Sequence, residues 1–174
     1  QPATSARPAR VRRSGAWGRA AASSRQIAGQ IAIEPATDLS AKPGADLAPL
    51  IEALEAEVLP GGTLRLRRKG DVAAWPGFED GSWWVQDAAA ATPARLLDVQ
   101  PGQSVLDLCA APGGKTLQLA AAGAQVVALD RSAARLKRLS ENLARTGLSA
   151  EIVVADAAVW DDARTFDAIL LDAP

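Results

Sequence analysis

The residues best suited to chemistry lie between positions 104 and 174. The run Leu106-Asp107-Leu108-Cys109-Ala110-Ala111-Pro112-Gly113-Gly114-Lys115-Thr116 follows an apolar stretch and is built mainly of small residues. Such a loop lets the backbone approach a ligand, and the following helix presents free amides. Three carboxylates then recur at matching places, with Asp130, Asp156 and Asp172 each closing an apolar run. A carboxylate about 20 residues beyond a glycine loop is suited to gripping ribose hydroxyls, the role expected of Asp130. Asp156 is expected near a base edge. Together these residues read as the site of a nucleoside-bearing cofactor. For any one aspartate, plain polarity at a strand end is the competing explanation.

Two familiar nucleotide signatures fail. Gly113-Gly114-Lys115-Thr116 looks like the end of a phosphate-binding P-loop, which requires a glycine five positions before Gly114. Cys109 stands there instead. A G-x-G-x-x-G dinucleotide fingerprint is also absent. A second chemical cluster, Arg65, Arg67, Arg68 and Lys69, is a candidate for contacting RNA phosphates. Trp75, Trp83 and Trp84 could stack on splayed bases, but packing between domains is the favoured explanation for them.

The elements that must position these groups follow from pattern. Ser104 to Leu108, Gln125 to Leu129, Glu151 to Ala155 and Phe166 to Leu171 read as apolar strands. Helices are expected from Gly114 to Ala122 and after Ser132, the latter carrying Leu136, Leu139 and Leu143 and closed by Gly147. This alternation predicts an α/β fold with a doubly wound, Rossmann-like parallel sheet. Upstream, Thr37 to Ala41 reads as a strand, Asp46 as the cap of a helix, and Thr63 to Arg67 as an alternating strand. That strand places Leu64 and Leu66 on one face and Arg65 and Arg67 on the other. Asp87 is expected to cap an alanine-rich helix ending around Val99. The expected division is a linker over 1–13, a helical linker over 14–35, a small α/β domain over 36–80, and a larger domain over 81–174.

Bulk composition sets limits. With 174 residues and a hydrophobic fraction of 48%, the chain can bury a core. The net charge of -1 conceals six arginines that precede the first acidic residue, Glu34. Local polyanion contact suits that pattern better than a wholly basic coat. Cys109 is the only cysteine, which excludes an intrachain disulfide. No apolar run approaches the roughly 20 residues needed to span a membrane. A cytoplasmic monomer without metal is the default expectation. The sequence contains no methionine and stops within an apparent strand-to-loop transition, so a fragment is expected.

Leu106 to Thr116 resembles the cofactor motif of the RNA 5-methylcytosine methyltransferases, and Leu170-Leu171-Asp172-Ala173-Pro174 resembles the start of their Asp-Ala-Pro-Cys motif. Pro76-Gly77-Phe78 and Val85-Gln86-Asp87 resemble the segment before the catalytic domain in the bacterial Sun/Fmu branch, which methylates small-subunit ribosomal RNA. The resemblance spans residues 34 to 174. It implies S-adenosylmethionine as cofactor, held by Cys109, Ala110, Ala111, Pro112, Gly113, Gly114 and Lys115 with Asp130, Asp156 and Asp172. It further implies a small RNA-recognition-like domain ahead of a truncated methyltransferase sheet. Cytosine-C5 chemistry in that family uses two cysteines, one directly after the Asp-Ala-Pro motif and the other farther along. Neither lies in this sequence, so the nucleophile is expected beyond Pro174 and the chain alone is expected to be inactive. Cys109 is expected to line the cofactor pocket. The alternatives are a methyltransferase acting on another substrate class and a noncatalytic RNA-binding module.

Overall fold

A computed structural model describes residues 35–67 and 70–173. Two sheets organise them. The first comprises β1 (Thr37–Ala41), β2 (Glu57–Val58), β3 (Leu64–Leu66) and β4 (Trp83–Val85), all antiparallel, in the order β2-β3-β1-β4. One helix, α1 (Ala48–Leu54), packs on it. Asp46 Oδ1 accepts from Ala48 N at 3.1 Å, and Pro49 sits in the first turn, where a missing N–H costs nothing. The alternation of β3 is realised: Leu64 and Leu66 are buried against Leu39, Leu50 and Leu54, while Arg67 is exposed.

The second sheet is parallel. It comprises β5 (Ser104–Leu108), β6 (Gln125–Asp130), β7 (Glu151–Val154) and β8 (Ala168–Leu171), in the order β7-β6-β5-β8. Helices α2 (Thr92–Leu96), α3 (Gly114–Ala121) and α4 (Ala133–Thr146) complete it. The order is that of a doubly wound Rossmann-like sheet: the chain steps outward from β5 to β7, then returns to the other side of β5. The α4 helix forms as its sequence dictates. Ser132 caps it by accepting from Arg135 N, Leu136, Leu139 and Leu143 are buried on one face, and Gly147 closes it at φ 62°.

Several expectations change. The helix expected from Asp87 to Val99 shrinks to the five residues of α2. Asp87 Oδ1 accepts from Ala89 N and Ala90 N in a local turn, and Pro93, which is tolerated only in a first turn, fixes where the helix starts. The last strand starts at Ala168 rather than Phe166, and the Asp167 carboxylate just before it accepts from Ser104 N and Oγ. The smaller sheet does not end at residue 80, since β4 pairs with β1 through Ser40–Trp84 and belongs to that sheet. The helix expected within 14–35, and the linker over 1–13, lie outside the described residues apart from Pro35.

β4 also joins the two interiors. Neighbouring residues of a strand face opposite ways. Trp83, fully buried, packs with Trp75, Leu39 and Leu66, whereas Trp84, 2% exposed, packs with Leu117, Leu136 and Leu139 of the larger unit. The base-stacking option for Trp75, Trp83 and Trp84 is thereby replaced by packing. Arg145, at the end of α4, reinforces the joint. It donates to Phe78 O at 2.8 Å and Trp83 O at 3.1 Å and lies over the Phe78 ring at 4.2 Å. Lys42 Nζ donates to Thr146 O at 2.8 Å.

Candidate functional site

In an open parallel sheet the ligand crevice lies beyond the carboxyl ends of the strands, where the chain reverses its order. Here that point is the gap between β5 and β8. The loop Cys109–Gly113 leaves β5 at this place. Cys109 turns the chain in a left-handed conformation, φ 63°. Gly113 precedes α3 at φ 112°, and a Cβ on it would overlap the Leu139 side chain, so glycine is required by conformation and by space. A Cβ on Gly114 would meet the Gln86 side chain at 3.3 Å. The small residues of the motif thus let the loop settle between α4 and the segment after β4.

Asp130 ends β6 and is 3% exposed. Its Oδ2 accepts from Ala111 N at 3.1 Å and its Oδ1 from Ser132 N at 2.9 Å. Arg135 Nη1 lies 3.7 Å from the same carboxylate, and its Nη2 donates to Ala111 O. Asp130 therefore fastens the loop to the tip of β6 while still facing a cleft of about 320 Å³. Asp156, exposed, lines the same cleft with Leu129 and Ala157, its Oδ1 accepting from Ala158 N at 2.9 Å.

Asp172 faces a neighbouring cleft of about 560 Å³, with Ala110, Ala111, Pro112, Gly114, Lys115 and the Val85–Asp87 segment. Lys115 Nζ is 2.6 Å from Asp172 Oδ2, joining the start of α3 to the tip of β8. The two clefts adjoin through Cys109 and Arg135, which line both. The three strand-tip aspartates therefore divide, with Asp130 and Asp156 on one side of Cys109 and Asp172 on the other.

A fourth carboxylate was not among the expected site residues. Asp107 stands inside β5, 1% exposed, and accepts from Thr116 Oγ1 at 2.6 Å. Burial pushes its carboxyl up to about 6, against the opposing pull of the Thr116 hydrogen bond and of Lys115. The available signal was an acid in the middle of an otherwise apolar strand. Arg135, Gln86 and Asp87 also line the larger cleft; Gln86 and Asp87 stood in a segment that carries the resemblance but had no site role, and nothing in the sequence marked Arg135. Gln86 is fixed by Trp84 Nε1, which donates to its Oε1 at 2.9 Å, and by its own amide donating to Gln118 Oε1 at 3.0 Å.

A wider cavity, about 990 Å³, opens at the amino-terminal ends of the strands around Ser104, Gln125 and Phe166. Neither the glycine loop nor any of the strand-tip carboxylates reaches it, so it carries none of this chemistry. Of the basic cluster, Arg67 is exposed, Arg65 is paired with Asp38, and Arg68 and Lys69 lie outside the described residues. Among the described residues no group of acidic, histidine or cysteine side chains is arranged to hold a metal, and no helix is long and apolar enough to cross a membrane.

Comparison with known proteins agrees with this geometry. Residues 94–174 match the family model described as 16S rRNA methyltransferase RsmB/F. The ribosomal RNA small subunit methyltransferase B of Pseudomonas syringae pv. tomato is 53% identical over 110 residues, covering 60% of this chain and 25% of that protein. The chain thus spans about a quarter of the length of the curated relatives it matches. A methyltransferase homolog protein from Pyrococcus horikoshii superposes with a TM-score of 0.70 at 27% identity, covering 85% of this chain and 53% of that one. NSun6 from the same organism superposes with a TM-score of 0.57 at 30% identity, covering 66% and 32%. Through residues 94–174, this chain is similar to the 16S rRNA methyltransferase RsmB/F family.

Proposed function

We propose that the protein methylates carbon 5 of a cytosine in small-subunit ribosomal RNA, using S-adenosylmethionine, and that this chain supplies the cofactor-binding half of the site. The observation that carries the reading is the pair of adjoining clefts at the switch point of the sheet, one bordered by Asp130 and Asp156 and the other by Asp107, Lys115 and Asp172. The residues fit the cofactor. The loop at Gly113 and Gly114 packs so closely on Leu139 and Gln86 that a Cβ would push it out of place at the cleft, and the buried Asp130 carboxylate retains lone pairs for ribose hydroxyls beyond its two protein donors.

When bound, S-adenosylmethionine supplies an electrophilic methyl group. Asp130 and Asp156 would hold its nucleoside portion, and Cys109 to Lys115 would wall its amino-acid portion. Asp172 and Lys115, at the tip of β8, would orient the reacting end or the target base. Carbon 5 of cytosine is a weak nucleophile until a thiolate adds at carbon 6; once carbon 5 has taken the methyl group, a base must remove its proton so that the thiolate can leave. That thiolate belongs to a residue other than Cys109, which sits at the base of the cofactor loop. The target being ribosomal RNA, the site of action is the cytoplasm, and the protein is read as a monomer that needs no metal. Arg67, with Arg68 and Lys69, is assigned to RNA phosphates; Arg65 contributes less, because Asp38 already holds it.

Calorimetric titration with S-adenosylmethionine tests the reading. Saturable binding is expected from the protein, weakened at least about tenfold by Asp130→Ala as a charge-assisted contact is lost. No occupancy at excess cofactor overturns it. The chain alone is expected to transfer no methyl group to RNA, so methylation by residues 1–174 refutes the assignment of Cys109. Arg67→Ala should reduce the salt slope of RNA binding by about one unit, as for a lost phosphate contact.

A further inference from the structure

The smaller sheet reaches the cofactor cleft through one buried carboxylate. Asp38 lies in β1 with its side chain 2% exposed. Arg65, its partner across β1 and β3, forks it: Nε donates to Oδ1 at 2.8 Å and Nη2 to Oδ2 at 2.7 Å. The third donor to this carboxylate is the backbone of Ala88, at 3.0 Å on Oδ2. The main-chain oxygen of Asp38 accepts from Gln86 N at 3.0 Å. One residue of the small sheet thus holds both ends of Gln86-Asp87-Ala88. Gln86 and Asp87 line the larger cleft opposite the glycine loop, and Gln86 is the side chain that Gly114 approaches.

We propose that Asp38, gripped by Arg65, is a positioning residue for the cofactor cleft, setting the distance between the Val85–Ala90 wall and the Cys109–Gly114 loop. Neither Asp38 nor Arg65 lines the cleft, and their effect passes through the backbone of Gln86 and Ala88. A bidentate guanidinium–carboxylate pair has a fixed planar geometry, so it orients the remaining lone pair of Oδ2 toward Ala88 N. The small sheet in this arrangement is part of the cofactor site as well as a candidate RNA surface, and Arg65 serves the first role. The inference rests on the reading of the cleft as a site for S-adenosylmethionine.

Hydrogen exchange and calorimetry on the wild type, Asp38→Asn, Arg65→Gln and the double variant test it. Arg65→Gln removes the fork while leaving both backbone contacts of Asp38 in place, and so supplies a second variant should Asp38→Asn fail to fold. The expected result is exchange at least about tenfold faster for the Gln86–Ala88 amides, with β6 and α4 unchanged, and a dissociation constant for S-adenosylmethionine raised about tenfold. Because the two residues act as a unit, the double variant should lose no more affinity than either single one. Unchanged exchange at Gln86–Ala88, unchanged affinity, or additive losses in the double variant would overturn the proposal. A wild type that binds no S-adenosylmethionine defeats the cofactor reading itself, and the exchange measurement then still decides whether Asp38 holds this wall.

Discussion

The hydroxyl of Thr116 donates to Asp107 Oδ2 across 2.6 Å, tying the first turn of α3 to the middle of β5. Both residues are buried, and the carboxyl is raised by that burial to about 6. A raised carboxyl favours the protonated form in the folded state. Its contribution to stability is complete below the ordinary carboxylate range and is lost as pH rises through about 6. Asp107→Asn preserves an acceptor for Thr116 and removes the titration. The stability difference between wild type and variant should therefore shift against the wild type by about 2–3 kcal/mol between about pH 4 and pH 8. Parallel pH series of thermal unfolding would measure it, and two parallel curves would refute the cause given for the shift.

Lys115 pulls the same carboxyl downward while pairing with Asp172. Lys115→Met removes that pull, so the titration midpoint of Asp107 should move further up. Carbon-detected NMR of the side-chain carboxyl reads this directly. A midpoint that stays put or falls would show that Lys115 does not act on Asp107.

Gly113→Ala meets two obstacles, the φ of 112° and the Leu139 side chain. An overpacked, strained site costs about 1–3 kcal/mol, and the loop should be displaced from Asp130. Denaturant unfolding should show the loss. Adding Leu139→Ala should recover none of the conformational part, since space alone does not make that φ acceptable to alanine.

Trp84→Phe keeps most of the packing but removes the indole N–H from Gln86 Oε1, a bond of 2.9 Å. The buried oxygen left without that donor should cost about 1–3 kcal/mol, and Gln86 should swing toward Gly114. Trp83→Phe, whose indole donates to Pro76 O, should leave the Gln86 environment unchanged. Chemical shifts of the Gln86 side-chain amide discriminate the two variants.

Arg145→Lys retains the charge at the end of α4 but cannot make both carbonyl bonds and the stack on Phe78. A loss of about 1–3 kcal/mol is expected, with faster exchange in the 77–83 turn. Stability equal to wild type would show that Lys42 and the tryptophans suffice to hold the joint.

The larger sheet was legible because each strand is a short apolar run and α4 carries a complete set of signals from Ser132 to Gly147. Those features are local, and local patterns survive in a one-dimensional reading. The alanine-rich stretch after Asp87 misled for a physical reason: high helix propensity at Ala88–Ala91 loses to the turn chemistry of Asp87 and the fixed ring of Pro93. β4 was illegible because three residues in a turn-rich stretch carry too little periodicity to declare a strand. At the site, the carboxylates were visible as strand-tip residues, but their division between two clefts depends on the β7-β6-β5-β8 order. Arg65 shows the limit most clearly. Its exposed face was readable from alternation, whereas its partner Asp38 lies 27 positions away and is set only by strand register.

The alternation at Trp83 and Trp84 has a consequence for how this sequence can vary. Because adjacent side chains enter separate interiors, a slip of one position in β4 would exchange their destinations and strand both indoles. Insertions and deletions are therefore tolerable in the Gly77–Ser82 turn only if they leave the pairing Ser40–Trp84 intact. Among natural variants, chain length should stay fixed between β4 and Asp87, where one residue more or less would carry Gln86 out of reach of Gln118.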